Sequence, residues 1–525
     1  MRKVSRCCAV LLLASLGWAQ QPEATGTVDG NVVNALTGEP VNKAEVTLAG
    51  PPPQSAATTD ASGHFVFRGL AAGSYWLNPQ RPGYTTEDPP RQMTLAAGER
   101  KSGVEIRLVP LGTISGRVVD EYGLPVPNCF VQVMLRAFER GRNRLTPRGG
   151  EQTNDKGDYR IHSLPRGRYY VDLRCWGELV APHPLMPADD PRTPKLVIAP
   201  QFYPGVPDVN GAAQVAVAAG ANARGIDFVA RRINAVTVRG RILNAGENVQ
   251  VILLSDQPGA RDWIQFSAGV DRSKGTFQIS GVPPGSYLLV ASTMGAGPVY
   301  QARMPLQVGS TPPDPVNLAL DPVPDLTGVV EVEGENPPPL ENFRVSLTPI
   351  DVPLSWQQPD AAIDRDGRFT LPAVAPGRWQ LSAAQGQGYV KSFQIGEKDA
   401  SPYGFDLLPG ETGPLKIVVS MKTAQVKVTV AGASADGFAL LVPADPERLH
   451  ATQVVGTHQA GCVFSNVAPG RYRVFAVATA QTAWDLQQRP DLVKPLEPRA
   501  QTVDLEEGQT AEVTVDLIPA ADLQP

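Results

Sequence analysis

One phrase occurs five times along the chain, and it restricts the fold more than any other feature. It reads TDASGHFVFRGLAAGSYWL over residues 59 to 77, NDKGDYRIHSLPRGRYYV over 154 to 171, DRSKGTFQISGVPPGSYLL over 271 to 289, IDRDGRFTLPAVAPGRWQL over 363 to 381 and HQAGCVFSNVAPGRYRV over 458 to 474. In each copy a first glycine (Gly63, Gly157, Gly275, Gly367, Gly461) precedes a second (Gly73, Gly167, Gly285, Gly377, Gly470) by ten residues, or nine in the last. Two residues beyond the second glycine stands an aromatic: Tyr75, Tyr169, Tyr287, Trp379, Tyr472. The second glycines lie 94, 118, 92 and 93 residues apart. That is the size of a small β-sandwich, not of a solenoid unit, and the longest interval marks an insertion in the second copy.

Local chemistry reads the phrase as strand, turn, strand. Phe65 and Phe67, Tyr159 and Ile161, Phe277 and Ile279, and Phe369 and Leu371 alternate with polar positions, the period of a half-buried strand. Tyr75 with Leu77 and Tyr169 with Val171 repeat the pattern one strand later. The Asp or Asn that opens the turn can accept backbone N–H bonds, and the first glycine can take the positive φ that closes a hairpin. Pro284-Gly285, Pro376-Gly377 and Pro469-Gly470 suit the centre of a type II turn. Upstream lie GTVDGNVVNALTGEPVNKAEVTL (26 to 48) and GTISGRVVDEYGLPVPNCFVQVML (112 to 135), and downstream come closing strands such as GVEIRL and GIDFVA. About seven strands per copy, enough for two packed antiparallel sheets, are expected.

These residues resemble the carboxypeptidase regulatory-like domain, a transthyretin-like sandwich akin to the collagen-adhesin B-type repeat. The shared pattern is G-x-V-x-(D/N), then G-x-P, A-x-V-x-L, T-(D/N)-x-x-G-x-(F/Y) and L-x-x-G-x-Y-x-(V/L). The first two copies keep all of it, whereas copies three to five keep its second half, the fourth opening with GVVEVEGENPPPLENFRVSL. The resemblance implies an all-β fold, a tandem array of five Ig-like or transthyretin-like sandwiches, and no particular activity. The expected organisation is a signal peptide over 1 to 19 and sandwiches over 24 to 110, 111 to 232 (with inserted loops), 233 to 322, 323 to 422 and 423 to 520. Collagen-adhesin relatives can form an internal Lys–Asn bond. Here the first strands lack Lys and the closing strands lack Asn, and Lys427, set between Val426 and Val428, is expected to face solvent.

Arg2, Lys3 and Arg6 precede the apolar run from Cys7 to Leu16, and Gly17 and Ala19 follow it, the layout of a secretory signal cut after Ala19. No later run reaches the roughly 18 apolar residues of a membrane helix. Losing the three basic residues moves the formal charge from -5 to -8, which argues against nucleic acid as a partner. Cys129, Cys175 and Cys462 survive cleavage, too few for a disulfide framework, so the cores must be hydrophobic. Between Cys129 and Cys175 a bridge and two separate thiols both remain open; Cys462 stays unpaired in either case.

Chemical readings of the repeat fare poorly. A calcium loop at Asp364-Arg365-Asp366-Gly367 needs further oxygen ligands, yet position 362 is Ala and the second acid becomes Ser62, Lys156, Lys274 or Gln459 elsewhere. His64, His162, His183, His450 and His458 form no zinc motif, and no Gly-x-Ser-x-Gly occurs. No catalytic, cofactor or metal residue is assigned. Candidate ligand-binding residues are Trp76 and Tyr170, which alternation turns away from the core, and Trp176 in a long loop, with Trp263, Trp356 and Tyr84 as weaker candidates. Arg140, Arg142, Arg144 and Arg148, in the insertion of copy two, are a candidate site for acidic polymers or a solvated hairpin tip. The expected protein is an exported, non-catalytic scaffold, secreted or periplasmic, whose partners are envelope proteins or glycans. Alternatives are a carbohydrate-binding module and an accessory subunit of an envelope or outer-membrane receptor complex.

Overall fold

The computed structural model describes residues 25–52, 55–86, 91–139, 142–175, 195–244, 248–256, 265–295, 297–334, 337–350, 358–383, 388–411, 413–431, 437–457 and 461–519. The predicted signal peptide lies outside them. The chain divides into two compact units, Met1–Val109 and Pro110–Pro525. Among the described residues no helix is long and apolar enough to cross a membrane.

In the first unit the opening strand, Gly26–Asn34, buries Val28 and Val32, one face of its alternation. It lies between the hairpin strand His64–Leu70 and the closing strand Arg100–Pro110, with Tyr84–Thr86 at the far edge. A second sheet runs Ser55–Thr58, Glu45–Ala49, Gly73–Gln80, Arg91–Leu95. Between the sheets lie Val28, Val46, Leu48, Phe65, Phe67, Tyr75, Leu77, Leu95 and Leu108. Each large apolar side chain buried there is worth roughly 1.5–3 kcal/mol.

The second unit repeats this plan around four further apolar clusters, centred on Val118 and Phe228, Val238 and Leu289, Leu347 and Phe393, and Val428 and Phe464. Each cluster draws on one copy of the phrase, so the all-β, sandwich-type expectation holds. The sheets are mostly antiparallel as expected, and each copy also carries a parallel ladder. The opening strand pairs antiparallel with the hairpin strand of the phrase but parallel with the closing strand, as Gly112–Asp120 does with Phe228–Ala230 and Leu326–Glu333 with Leu415–Ser420. Alternation reports which face is buried; it carries no information on the direction of a strand that arrives much later in the chain.

Two insertions add layers that alternation alone does not predict. In copy two, Phe202 and Val209 cover Met134, Leu145 and Tyr170 on the outer face of their sheet. The strand Lys195–Ile198 then pairs with the start of Arg232–Ile242, linking the second and third copies. In copy five the helix Ala480–Gln488, capped by the Thr479 hydroxyl, lays Ala483 and Leu486 against Leu440, Val442, Phe475 and Val477. Strands Phe438–Pro443 and Gly470–Val477 are thereby buried on both faces.

Candidate functional site

In copies one to four the Asp or Asn that opens the turn is engaged in local structure. Asp60, Asn154, Asp271 and Asp364 each turn Oδ1 to the backbone N–H two residues on, and Asp60, Asn154 and Asp364 also accept from the N–H four residues on. Hydrogen bonds from Ser62 and Ser273 hold the carboxyls of Asp60 and Asp271 below their ordinary range. At Asp364 these bonds form the turn that the sequence predicts, and among the described residues no group of three His, Cys, Asp or Glu is placed to hold a metal ion. Gly63, Gly157, Gly275 and Gly367 lie at φ between 65° and 80°. A Cβ on Gly157 would stand 2.3 Å from the Val118 carbonyl oxygen, so both backbone conformation and proximity demand glycine.

The conserved spacing from second glycine to aromatic has a cause that sequence reasoning missed. Each ring folds back so that its polar atom donates to the carbonyl four residues earlier: Tyr75 to Ala71 (2.9 Å), Tyr169 to Pro165 (2.6 Å), Tyr287 to Pro283 (2.9 Å), Trp379 Nε1 to Ala375 (2.9 Å) and Tyr472 to Ala468 (2.7 Å). This resembles the tyrosine corner of sandwich folds. The type II expectation is corrected here: Gly377 and Gly470 take φ of 150° and 137°, far from the value near +80° that such a turn needs. The second glycine instead starts the strand and leaves room for the returning ring, whose edge lies 3.3 Å from where a Cβ of Gly285 would stand.

The other predicted residues scatter. Trp76 is 42% exposed on the outer face of the first unit. Tyr170 does turn away from the sandwich core, but it is 6% exposed, because the insertion covers that face and Arg136 stacks on the ring. Its expected outward exposure is thus corrected. Arg144 Nη2 donates to the Ile350 carbonyl (2.6 Å) and Arg148 Nη2 to Gln488 Oε1 (2.9 Å), so these arginines bind other parts of the same chain. Arg140, Trp176, Trp263 and Trp356 lie outside the described residues, as does the side chain of Arg142. Tyr84 packs half-buried against the first core. Cys129 and Cys175 face each other across paired strands and are joined by a disulfide, while Cys462 is free. Lys427 is exposed and reaches Glu512. Beside the disulfide, on the same strand, Asp172 is buried with Arg174; burial pushes its carboxyl up to about 6, and its Oδ1 has no hydrogen-bond partner.

A hollow of about 420 Å³ adjoins one of about 240 Å³ where residues of copies four and five meet. Arg448 stands between the rings of Tyr403 and Tyr472, 5.5 Å from each centroid, and donates to the Pro469 carbonyl and the Tyr472 hydroxyl. His450 packs on Tyr403, and burial lowers its pKa. Glu507 accepts from Tyr389 and pairs with Lys391, which also binds Glu333. Such mutual neutralisation suits a junction between two sandwiches. The Tyr389 hydroxyl beside Glu507 is not activated as a nucleophile, because burial pushes it up to about 12.

Residues 27–109 match the family model of the carboxypeptidase regulatory-like domain. No curated protein matches the chain. Among solved structures, the Bacillus anthracis TIE protein is 12% identical over 57% of this chain and 51% of its own, about half its length, with a TM-score of 0.18. The minor pilin GBS52 of Streptococcus agalactiae is 11% identical, covering 40% of this chain and 96% of its own, at a TM-score of 0.22. BcpA, the major pilin subunit of Bacillus cereus, is 12% identical, covering 76% and 99%, at a TM-score of 0.15. Likenesses of this depth say nothing of what this chain binds.

Proposed function

We propose that the chain is an exported, non-catalytic scaffold of five sandwich domains, over 24–110, 111–232, 233–322, 323–422 and 423–520, which presents loops and sheet faces to proteins or glycans at the cell envelope. The observation that carries this reading is the use of the repeated polar residues. A motif retained for chemistry would leave its acids or aromatics free to meet a substrate. Here copies one to four commit their Asp or Asn to a turn, and all five commit their aromatic to a corner. Repetition of such a unit multiplies surface and length, which suits attachment.

The test is retention. The mature chain, fluorescently labelled, is added to envelopes from the cells that make it, and sedimentation is followed over a concentration series. Saturable retention without release of any small product supports the scaffold reading. Absence of retention, or turnover of a peptide, ester or glycoside by the pure protein, contradicts it.

A further inference from the structure

We propose that the outer face of the sheet bearing Trp76 is a stacking platform for a neutral, extended oligosaccharide, a reading that rests on the scaffold function above and names the ligand for one of its faces. The two sheets of the first unit turn opposite kinds of surface to water. On the sheet that holds the opening strand, the outward positions and edge carry Asp29, Arg68, Arg100, Glu105 and Arg107, with ion pairs between Arg100 and Asp29 and between Arg107 and Glu105. On the other sheet, alternation buries Val46, Leu48, Tyr75 and Leu77 and turns Trp76 outward. Register sets Ala49 opposite Trp76, Thr47 opposite Asn78 and Ser74 opposite Thr94. Among the described residues that alternation places on this face, Glu45 at one end is the charged exception. Lys101 reaches the Thr94 carbonyl at the sheet edge (3.1 Å).

An exposed indole flanked by small Ala49 and by hydroxyl and amide side chains has the chemistry of a pyranose in reverse. A sugar ring offers an apolar C–H face, which packs on an aromatic, and a rim of hydroxyls, which exchange hydrogen bonds with Thr and Asn. A charged polymer finds no field to attract it here, whereas the charged sheet would hold one. The run of strands about 4.8 Å apart suits an extended chain lying across them.

The experiment titrates the full mature chain with cellohexaose, maltohexaose and chitohexaose by calorimetry and indole fluorescence, with heparin as the charged control. At least one neutral hexasaccharide is expected to bind saturably. Trp76→Ala should weaken that binding about tenfold or more, Trp76→Phe should restore most of it, and Asn78→Ala should weaken it by roughly twofold to tenfold. The melting of the first unit should not move, because Trp76 lies outside its core. The proposal is overturned if none of the three sugars binds, if binding is unchanged in Trp76→Ala, or if heparin binds in preference to all of them. Envelope retention that survives Trp76→Ala while sugar binding is absent would sink this proposal and leave the scaffold reading standing.

Discussion

The hydroxyl of Tyr287 bonds the Pro283 carbonyl, and the ring is itself largely buried, so its removal isolates one corner. Tyr287→Phe keeps the ring and deletes the donor, and it should cost the third core about 1 kcal/mol in chemical denaturation, with the slope unchanged. Glycine positions give a sharper contrast. A Cβ on Gly30 would stand 2.0 Å from the Val104 carbonyl oxygen and 2.9 Å from the Phe65 ring, whereas Gly69, at φ 74°, has nothing within 4 Å. Gly30→Ala should therefore destabilise the first unit by about 3 kcal/mol or more, and Gly69→Ala by only about 1–2 kcal/mol of backbone strain. Equal losses in the two variants would contradict the packing role given to Gly30. The turn acids were legible in the sequence because their partners lie within four residues, and the first glycines because a tight turn by itself calls for positive φ. Gly30 was not, since its neighbours come from strands 35 and 74 residues away.

At the scale of strands and insertions, the second copy concentrates the testable chemistry. The Cys129–Cys175 bond closes a loop with a separation of 46 residues, so Cys129→Ala with Cys175→Ala should lower the stability of the second core by about 4 kcal/mol. Three strand positions away from the bond's register, Asp172 keeps its proton to about pH 6 when folded, against 3.8 for the ordinary group. The folded form then binds a proton that the unfolded chain has released. Stability is complete below about pH 3.8, declines as the pH rises toward 6, and stays lower above it by about 3 kcal/mol. Unfolding titrations at pH 3 and pH 7 should show wild type losing that amount relative to Asp172→Asn. An identical pH response in both proteins would show that the carboxyl is solvated. Strand periodicity found the hairpins, yet it could not reveal that the insertion covers Tyr170 or that the helix Ala480–Gln488 covers copy five, because the covering residues carry no repeat of their own.

For the whole molecule, the second unit is tied together by contacts between consecutive copies and by two that reach across them. Copy two reaches copy three through Lys195–Ile198, copy three reaches four where Arg303 donates to the Pro376 carbonyl, and copies four and five share the Arg448 stack. Arg144 and Arg148 carry copy two to copies four and five. A cluster of arginines reads in sequence as a free basic patch, because their partners, a backbone carbonyl and a glutamine amide, bear no complementary charge. Arg148→Ala should speed amide hydrogen exchange across Ala480–Gln488 while leaving the first unit unchanged; slower or unaltered exchange there would remove the contact from the account. The central claim is that the residues shared by all copies of the phrase, its two glycines and the aromatic after the second, build turns and corners and take no part in binding or chemistry. It is tested most directly by the fivefold variant Tyr75→Phe, Tyr169→Phe, Tyr287→Phe, Trp379→Phe, Tyr472→Phe, measured for both thermal unfolding and envelope retention. The account predicts transitions lowered by several degrees, about 4–8 °C per core, with retention below them equal to wild type; unshifted transitions together with lost retention would contradict it.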